Sequence, residues 1–243
     1  TNTYVSWNWK ETSTAGFDII GYSGTGSTAT VSHNLGVVPS LIILKCRTNA
    51  NPDWIVFGKT LGGTVGSEFL KLNNTGAKTT GLDTSWFNQT APTSSVFTVG
   101  TQGDVNGSSN TYIAYVFAEK KGFSKFGSYT GNASGNGAGP FIYTGFKSSF
   151  IMIKNASASS TDWLIFDNKR GGPVASYYGN NNKFFLKANE NAAEANETFD
   201  IYSNGFKIKI TNNFINGDGN TLIYMAFAES PFVNSKGIPT TAR

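Results

Sequence analysis

The chain has 243 residues, a formal charge of +4 and a pI near 9.0, with 14% charged and 14% aromatic residues. Aromatic and β-branched residues recur throughout, which excludes a disordered chain. The single cysteine, Cys46, excludes an intramolecular disulfide framework, and no apolar run is long enough to span a membrane. The positive residues are scattered apart from Lys120, Lys121, Lys125 and the pair Lys169-Arg170, a distribution that argues against nucleic acid as a partner.

In chain order, Thr3-Tyr-Val-Ser-Trp-Asn-Trp-Lys-Glu11 reads as a first strand, with Val5, Trp7 and Trp9 on one face and Ser6, Asn8 and Lys10 on the other. Phe17 to Ser23 is a second strand, running into the turn Gly24-Thr-Gly26, and Thr28 to His33 a third. Leu41-Ile-Ile-Leu-Lys45 is a continuous apolar run of strand length, so it belongs in the middle of a sheet with both faces covered. Strands follow at Asp53 to Phe57, Phe69 to Asn73 and Val96 to Val99, with Trp86-Phe87 near a short strand. The loop Gly103 to Gly107 then leads into Thr111-Tyr-Ile-Ala-Tyr-Val-Phe-Ala-Glu119.

That last strand restates the opening one 108 residues on, and Thr221-Leu-Ile-Tyr-Met-Ala-Phe-Ala-Glu229 restates it again after a further 110. One face is large and apolar in every copy: Ile113, Tyr115 and Phe117, then Ile223, Met225 and Phe227. The other face is polar in the first copy and small or apolar in the later two, which are therefore expected to be buried on both sides. Between the copies the order also repeats. Leu41 to Lys45 matches Phe150 to Lys154 and Asp53 to Phe57 matches Asp162 to Phe166, both at an offset of 109, while Phe69 to Asn73 matches Phe185 to Asn189 at 116. The second copy carries a longer middle loop, Gly171 to Asn182, and the first a longer connection, Asn88 to Ser95.

Short strands at this spacing with no useful helical period predict an all-β protein of two tandem homologous antiparallel β-sandwich repeats, jelly-roll or lectin-like. The expected division is residues 1–10 as a strand closing an upstream unit, 11–120 and 121–232 as the two repeats, and 233–243 as a polar tail. The opening strand and the missing initiator Met lead us to expect a fragment of a longer polypeptide, and no signal-peptide pattern is present.

The Tyr4-Val-x-Trp-x-Trp-Lys10 opening, the paired Asp-Trp strands at Asp53 and Asp162, the Phe-Ala-Glu strand ends at Glu119 and Glu229, and the closing Pro231 to Pro239 segment together resemble a known family. It is the C-terminal repeat domain of tail-fibre and tail-associated proteins of tailed bacteriophages, often found beside concanavalin-like lectin domains. The resemblance covers nearly the whole chain and carries over no site residue. It implies an extracellular virion surface protein, assembled in the bacterial cytoplasm, that meets host cell-surface polysaccharide and other virion proteins. It also implies a homo-oligomer, a trimer.

Internal repetition offers a test for function: positions kept in both copies are structural, and a single working site falls where the copies differ. Trp54 and Trp163 are kept, as are Asp53 and Asp162 and the strand-end acids Glu119 and Glu229, so these read as structure. Glycoside hydrolysis needs two placed carboxylates, and no acid motif stands out; the run Glu190, Glu194, Glu197 and Asp200 reads as a solvated loop or short turn. One histidine, His33, without a Gly-x-Ser-x-Gly elbow gives no triad, and with one Cys it gives no zinc set. Asn216-Gly-Asp-Gly-Asn220 and Asp104-Val-Asn-Gly107 offer oxygen ligands for calcium but precede a repeated strand, where a hairpin turn is expected. We expect no catalytic residue, metal or cofactor. An aromatic surface flanked by amides is what a sugar needs, and the copy-specific loops supply the candidates: Trp86, Asn88 and Gln89 with Asp83 in the first copy, and Tyr177, Tyr178, Asn180, Asn181 and Asn182 in the second. The reading is a non-enzymatic receptor-binding module, with a purely structural virion component as the alternative and a glycan depolymerase behind both.

Overall fold

The computed structural model describes residues 4–135, 137–170 and 181–230, with the side chains of 181–183 and 196–199 outside the description. The first half holds β1 (Phe17–Ser23), β2 (Ala29–Ser32), β3 (Leu41–Cys46), β4 (Ile55–Phe57), β5 (Leu70–Lys71), β6 (Val96–Val99) and β7 (Thr111–Phe117). The second holds β8 (Ser124–Thr130), β9 (Phe141–Tyr143), β10 (Ser148–Asn155), β11 (Trp163–Asp167), β12 (Asn181–Lys187), β13 (Ala195–Tyr202), β14 (Gly205–Ile208) and β15 (Thr221–Ala228). The protein is all-β, and every strand pairing is antiparallel.

The first half forms a large sheet in the order β1-β7-β3-β4-β5 and a small one, β2-β6. The second half runs β8-β15-β10-β11-β12-β13-β14-β9, which repeats both neighbour orders and joins them through β13 into one eight-stranded sheet. In each half the two ends of this arrangement enclose a core. Val31, Phe97 and Val99 meet Ile42, Leu44, Phe57 and Val116 in the first, and Ile142, Ile201 and Phe206 meet Ile151, Ile153, Phe166 and Tyr224 in the second.

The large sheets then pack on each other through their opposite faces. Leu41, Ile43, Val56, Leu70 and Phe117 from the first half form one cluster with Phe150, Met152, Trp163, Ile223, Met225 and Phe227 from the second. Here lies the reason for the repeated large-apolar face: Phe117, Ile223, Met225 and Phe227 line the seam between the halves, while Ala114, Val116, Tyr224 and Ala226 turn into each half's own core. The continuous apolar run at β3 is explained in the same way, since Leu41 and Ile43 face the seam and Ile42 and Leu44 the first core. Hydrogen bonds to backbone carbonyls rim the seam. The Trp163 indole N–H donates to the Lys71 carbonyl at 2.9 Å, and the Lys78 N–H to the Ala156 carbonyl at 2.8 Å.

Three expectations are corrected. Residues 4–11 belong to no sheet; Trp7 and Trp9 do alternate toward the protein, edge-on to Phe150 at 5.7 and 5.2 Å, and the Arg170 guanidinium stands 5.5 Å over the Trp7 ring. Ring packing on the flank of the seam, without ladder hydrogen bonds, holds this segment. Glu197 and Asp200 lie in β13, not in a loop. Single helical turns, α1 (Thr84–Phe87), α2 (Gly103–Asn106) and α3 (Asn213–Asn216), stand where a strand neighbour and two hairpin turns were expected.

The last two turns are built alike around a buried asparagine. Asn106 accepts from the Thr25 N–H at 2.9 Å and donates to the carbonyls of Ser27 and Gly100, both at 2.6 Å. Asn216 accepts from the Asn132 N–H at 2.9 Å and donates to Ser134 and Ile210 at 2.9 and 2.7 Å. The phenols of Tyr22 and Tyr129 donate to the Val105 and Ile215 carbonyls at 2.6 and 2.7 Å, and burial pushes both phenols up, so they remain donors.

Candidate functional site

The first-copy candidates come together on α1, where they hold the loop itself. Asp83 is the N-cap: its carboxylate accepts from the Ser85 N–H at 2.9 Å and from the Ser85 hydroxyl, contacts that lower its pKa. Trp86 is half-buried with its ring 4.2 Å from Phe69, a cover on the first core. Asn88 ends the turn in the left-handed conformation, φ 51°, and the Gln89 side-chain amide donates to the Leu82 carbonyl at 2.9 Å. Beside Gln89 a polar cleft of about 300 Å³ is floored by Glu68, a buried carboxylate paired with Lys78. Among the second-copy candidates, Tyr177, Tyr178 and Asn180 lie outside the described residues. Asn181 and Asn182 open β12, and their side chains lie outside the description too.

His33 is buried, with its Nδ1 accepting from the Leu35 N–H at 3.4 Å and its Nε2 3.2 Å from the Thr93 carbonyl. The kept acids are structural in matching ways. Asp53 meets Lys71 at 2.6 Å and accepts from Asn73 at 2.8 Å; Asp162 meets Lys187 at 2.9 Å and accepts from Asn189 at 2.7 Å. Among the described residues no group of three or more His, Cys, Asp or Glu side chains is placed to hold a metal ion.

Exposed rings gather elsewhere, on the outer face of β13-β14-β9. Because Ile142, Ile201, Phe206 and Ile208 point into the second core, their neighbours along each strand point out. The register sets Tyr143, Gly205 and Tyr202 in one row across the three strands, and Phe141, Lys207 and Asp200 in the next. Tyr143 is 65% exposed, Phe141 46% and Tyr202 41%. The two tyrosines are two strand spacings, about 10 Å, apart. Gly205 makes the floor between them: a Cβ there would come within 2.2 Å of the Ile142 carbonyl and 2.9 Å of the Phe141 ring, so only glycine lets that ring lie across the strand. Phe141 and Tyr202 meet edge to face, with centroids 5.9 Å apart.

Polar groups line one side. Asp200 Oδ2 accepts from the Tyr202 hydroxyl at 3.2 Å and pairs with Lys209 at 3.1 Å. Burial and then the Asp200 charge raise the Tyr202 phenol, which stays a donor. Lys207 stands between Asp200 and Phe141 and has no hydrogen bond or ion pair among the described residues. Within these three strands Asp200 is the carboxylate on the outer rows, and it is buried and held by Tyr202 and Lys209. The copy-difference test had the signal for this face: at the offset that aligns Ile142 with His33, Phe141 and Tyr143 align with the polar Ser32 and Asn34.

The family described as a domain of unknown function (DUF7483) matches residues 1–231. The chain belongs to this family. The match takes in both halves of the DUF7483 domain, the seam between them and the whole aromatic face. No curated protein matches it in sequence. A solved structure described as the crystal structure of the STIV MCP aligns with 87% of the DUF7483 domain and 95% of its own chain, at 10% identity and a TM-score of 0.24, a likeness that supports no conclusion. No described helix of the DUF7483 domain is long and apolar enough to cross a membrane.

Proposed function

We propose that this DUF7483 domain is a non-enzymatic carbohydrate-binding module that recognises host surface glycans from the tail fibre of a bacteriophage. The observation that carries the binding role is the outward row of Tyr143, Gly205 and Tyr202 with Phe141 beside it. Ring faces of this kind cover the C–H faces of a sugar, and the Lys207 head beside them, with the Tyr143 and Tyr202 hydroxyls, bonds its hydroxyls and fixes its orientation. The face is built on a hydrogen-bonded sheet and so keeps its shape without ligand. The virion placement rests on the resemblance of the sequence motifs to tail-fibre repeat domains. A symmetric fibre presenting several such faces at once turns weak sites into firm attachment.

The test is binding of the labelled protein to a panel of bacterial surface polysaccharides, with reducing-end release followed in the same sample. Binding without release, lost in Tyr143→Ala and Phe141→Ala but kept in Trp86→Ala, is the expected result. Binding that survives both ring deletions overturns the site, and release of reducing ends overturns the non-enzymatic role.

A further inference from the structure

We propose that the sugar on this face is an acidic one, a pyranose bearing a carboxylate, and that Lys207 is the residue that selects it. The inference rests on the carbohydrate reading and goes beyond it by naming the ligand class.

Of the charged groups on the outer rows, Asp200 is buried and pairs with Lys209 at 3.1 Å, with the Tyr202 hydroxyl on the same carboxylate oxygen, so both are engaged. Among the described residues of these rows, Lys207 is left as the uncompensated charge. It sits on β14, which pairs on one side with β13 and on the other with β9, so its backbone is fixed on both flanks. Its cross-strand neighbour is Phe141, one of the exposed rings, so a sugar lying on that ring has its edge within reach of the ammonium. A neutral sugar would meet Lys207 through hydroxyls alone. A carboxylate there gains a charge-assisted bond and supplies the missing counter-charge. The first half makes the same argument in the negative. Its equivalent outer face, on β2 and β6, carries Thr30, Ser32 and Val96 with Thr98 buried beside them, and has neither ring nor charge.

The experiment uses the same polysaccharide panel, each member in native form and after carboxyl reduction to the neutral sugar. Native protein is compared with Lys207→Gln, Lys207→Arg and the charge-matched control Lys121→Gln, which alters an exposed residue in the turn between the halves. Expected are binding to uronate-bearing chains, about tenfold weaker affinity after carboxyl reduction or in Lys207→Gln, and little change in Lys121→Gln or Lys207→Arg. Equal affinity for native and reduced chains, or equal losses in the two Gln variants, overturns the acidic-sugar assignment while leaving carbohydrate binding intact. Binding to sulfated or phosphorylated chains but to no carboxylated one also overturns it, assigning Lys207 to a different anion. Absence of binding to every member by the folded protein removes the carbohydrate reading and this inference together.

Discussion

The two halves share a strand order yet present opposite outer surfaces. In the first, β2 and β6 stand alone as a two-stranded sheet, closed at one side by α1 and faced outward with threonine, serine and valine. In the second, β13 fills the place of α1, joins the two sheets and adds Tyr202 to the rings on β9. The seam, by contrast, draws on equivalent positions of both halves. The difference teaches that the two halves are alike where they touch and differ where one of them meets solvent.

The sharpest way to break the supposed equivalence is at the two kept tryptophans. Trp163 is 2% exposed in the seam and Trp54 is half-buried at its edge, stacked 6.4 Å from Tyr115. Trp163→Ala is expected to cost about 3 to 5 kcal/mol and Trp54→Ala about 1 to 2 kcal/mol, read from urea unfolding. Equal losses would mean that the seam is symmetric after all.

Lys154 tests the seam by pH. Its buried ammonium donates to the Thr161 carbonyl and hydroxyl and to the Thr75 carbonyl, and burial lowers its pKa to about 8, partly opposed by the Asp162 charge. The folded value lies below the ordinary 10.5, so between the two the unfolded chain binds more protons and stability rises with pH. Below pH 8 the full penalty applies, on the order of 3 kcal/mol at most. Lys154→Met should flatten that rise, as followed by melts across pH 7.5 to 10.5; an unchanged slope would show that Lys154 does not cause it.

Asn106→Ala and Asn216→Ala probe what is equal. Each strands one N–H and two carbonyls, so each is expected to lose about 2 to 3 kcal/mol. A large gap between the two would set the halves apart at their cores. The smallest stability effect belongs to the outer face: Tyr143→Ala should change unfolding by less than about 0.5 kcal/mol while removing glycan binding. A destabilisation of several kcal/mol would make that ring a core residue.

Much of this was legible because period-2 patterns report burial directly. Leu41 to Leu44 read as covered on both faces, and the copies of Thr111 to Glu119 read as one strand used repeatedly. What lay against each face was not legible, since a Phe in a seam and a Phe in a sandwich core follow the same alternation. The turns α1, α2 and α3 span four residues each, too few to show a 3.6 period, and they are specified by caps and by Asn106 and Asn216 instead. Strand β13 was missed because Ala195-Asn-Glu-Thr is polar at its start and reads as loop. The candidate loops were chosen for aromatic and amide content, which does not tell that Trp86 rests on Phe69. Phe141 and Tyr143 flank a single core residue in a strand of three, and only comparison between the copies marks them.

The pairing of first strand with last has a consequence for how the chain comes together. Phe17 pairs with Phe117 and Ser124 with Phe227, so each large sheet stays open until about a hundred residues have been made beyond its first strand. Such distant partners make closure slow, and during synthesis the first sheet's apolar side waits uncovered until the second arrives. The order of synthesis therefore leaves a half-built chain with an open sheet edge and an apolar flank, the two features through which unfinished chains associate with one another.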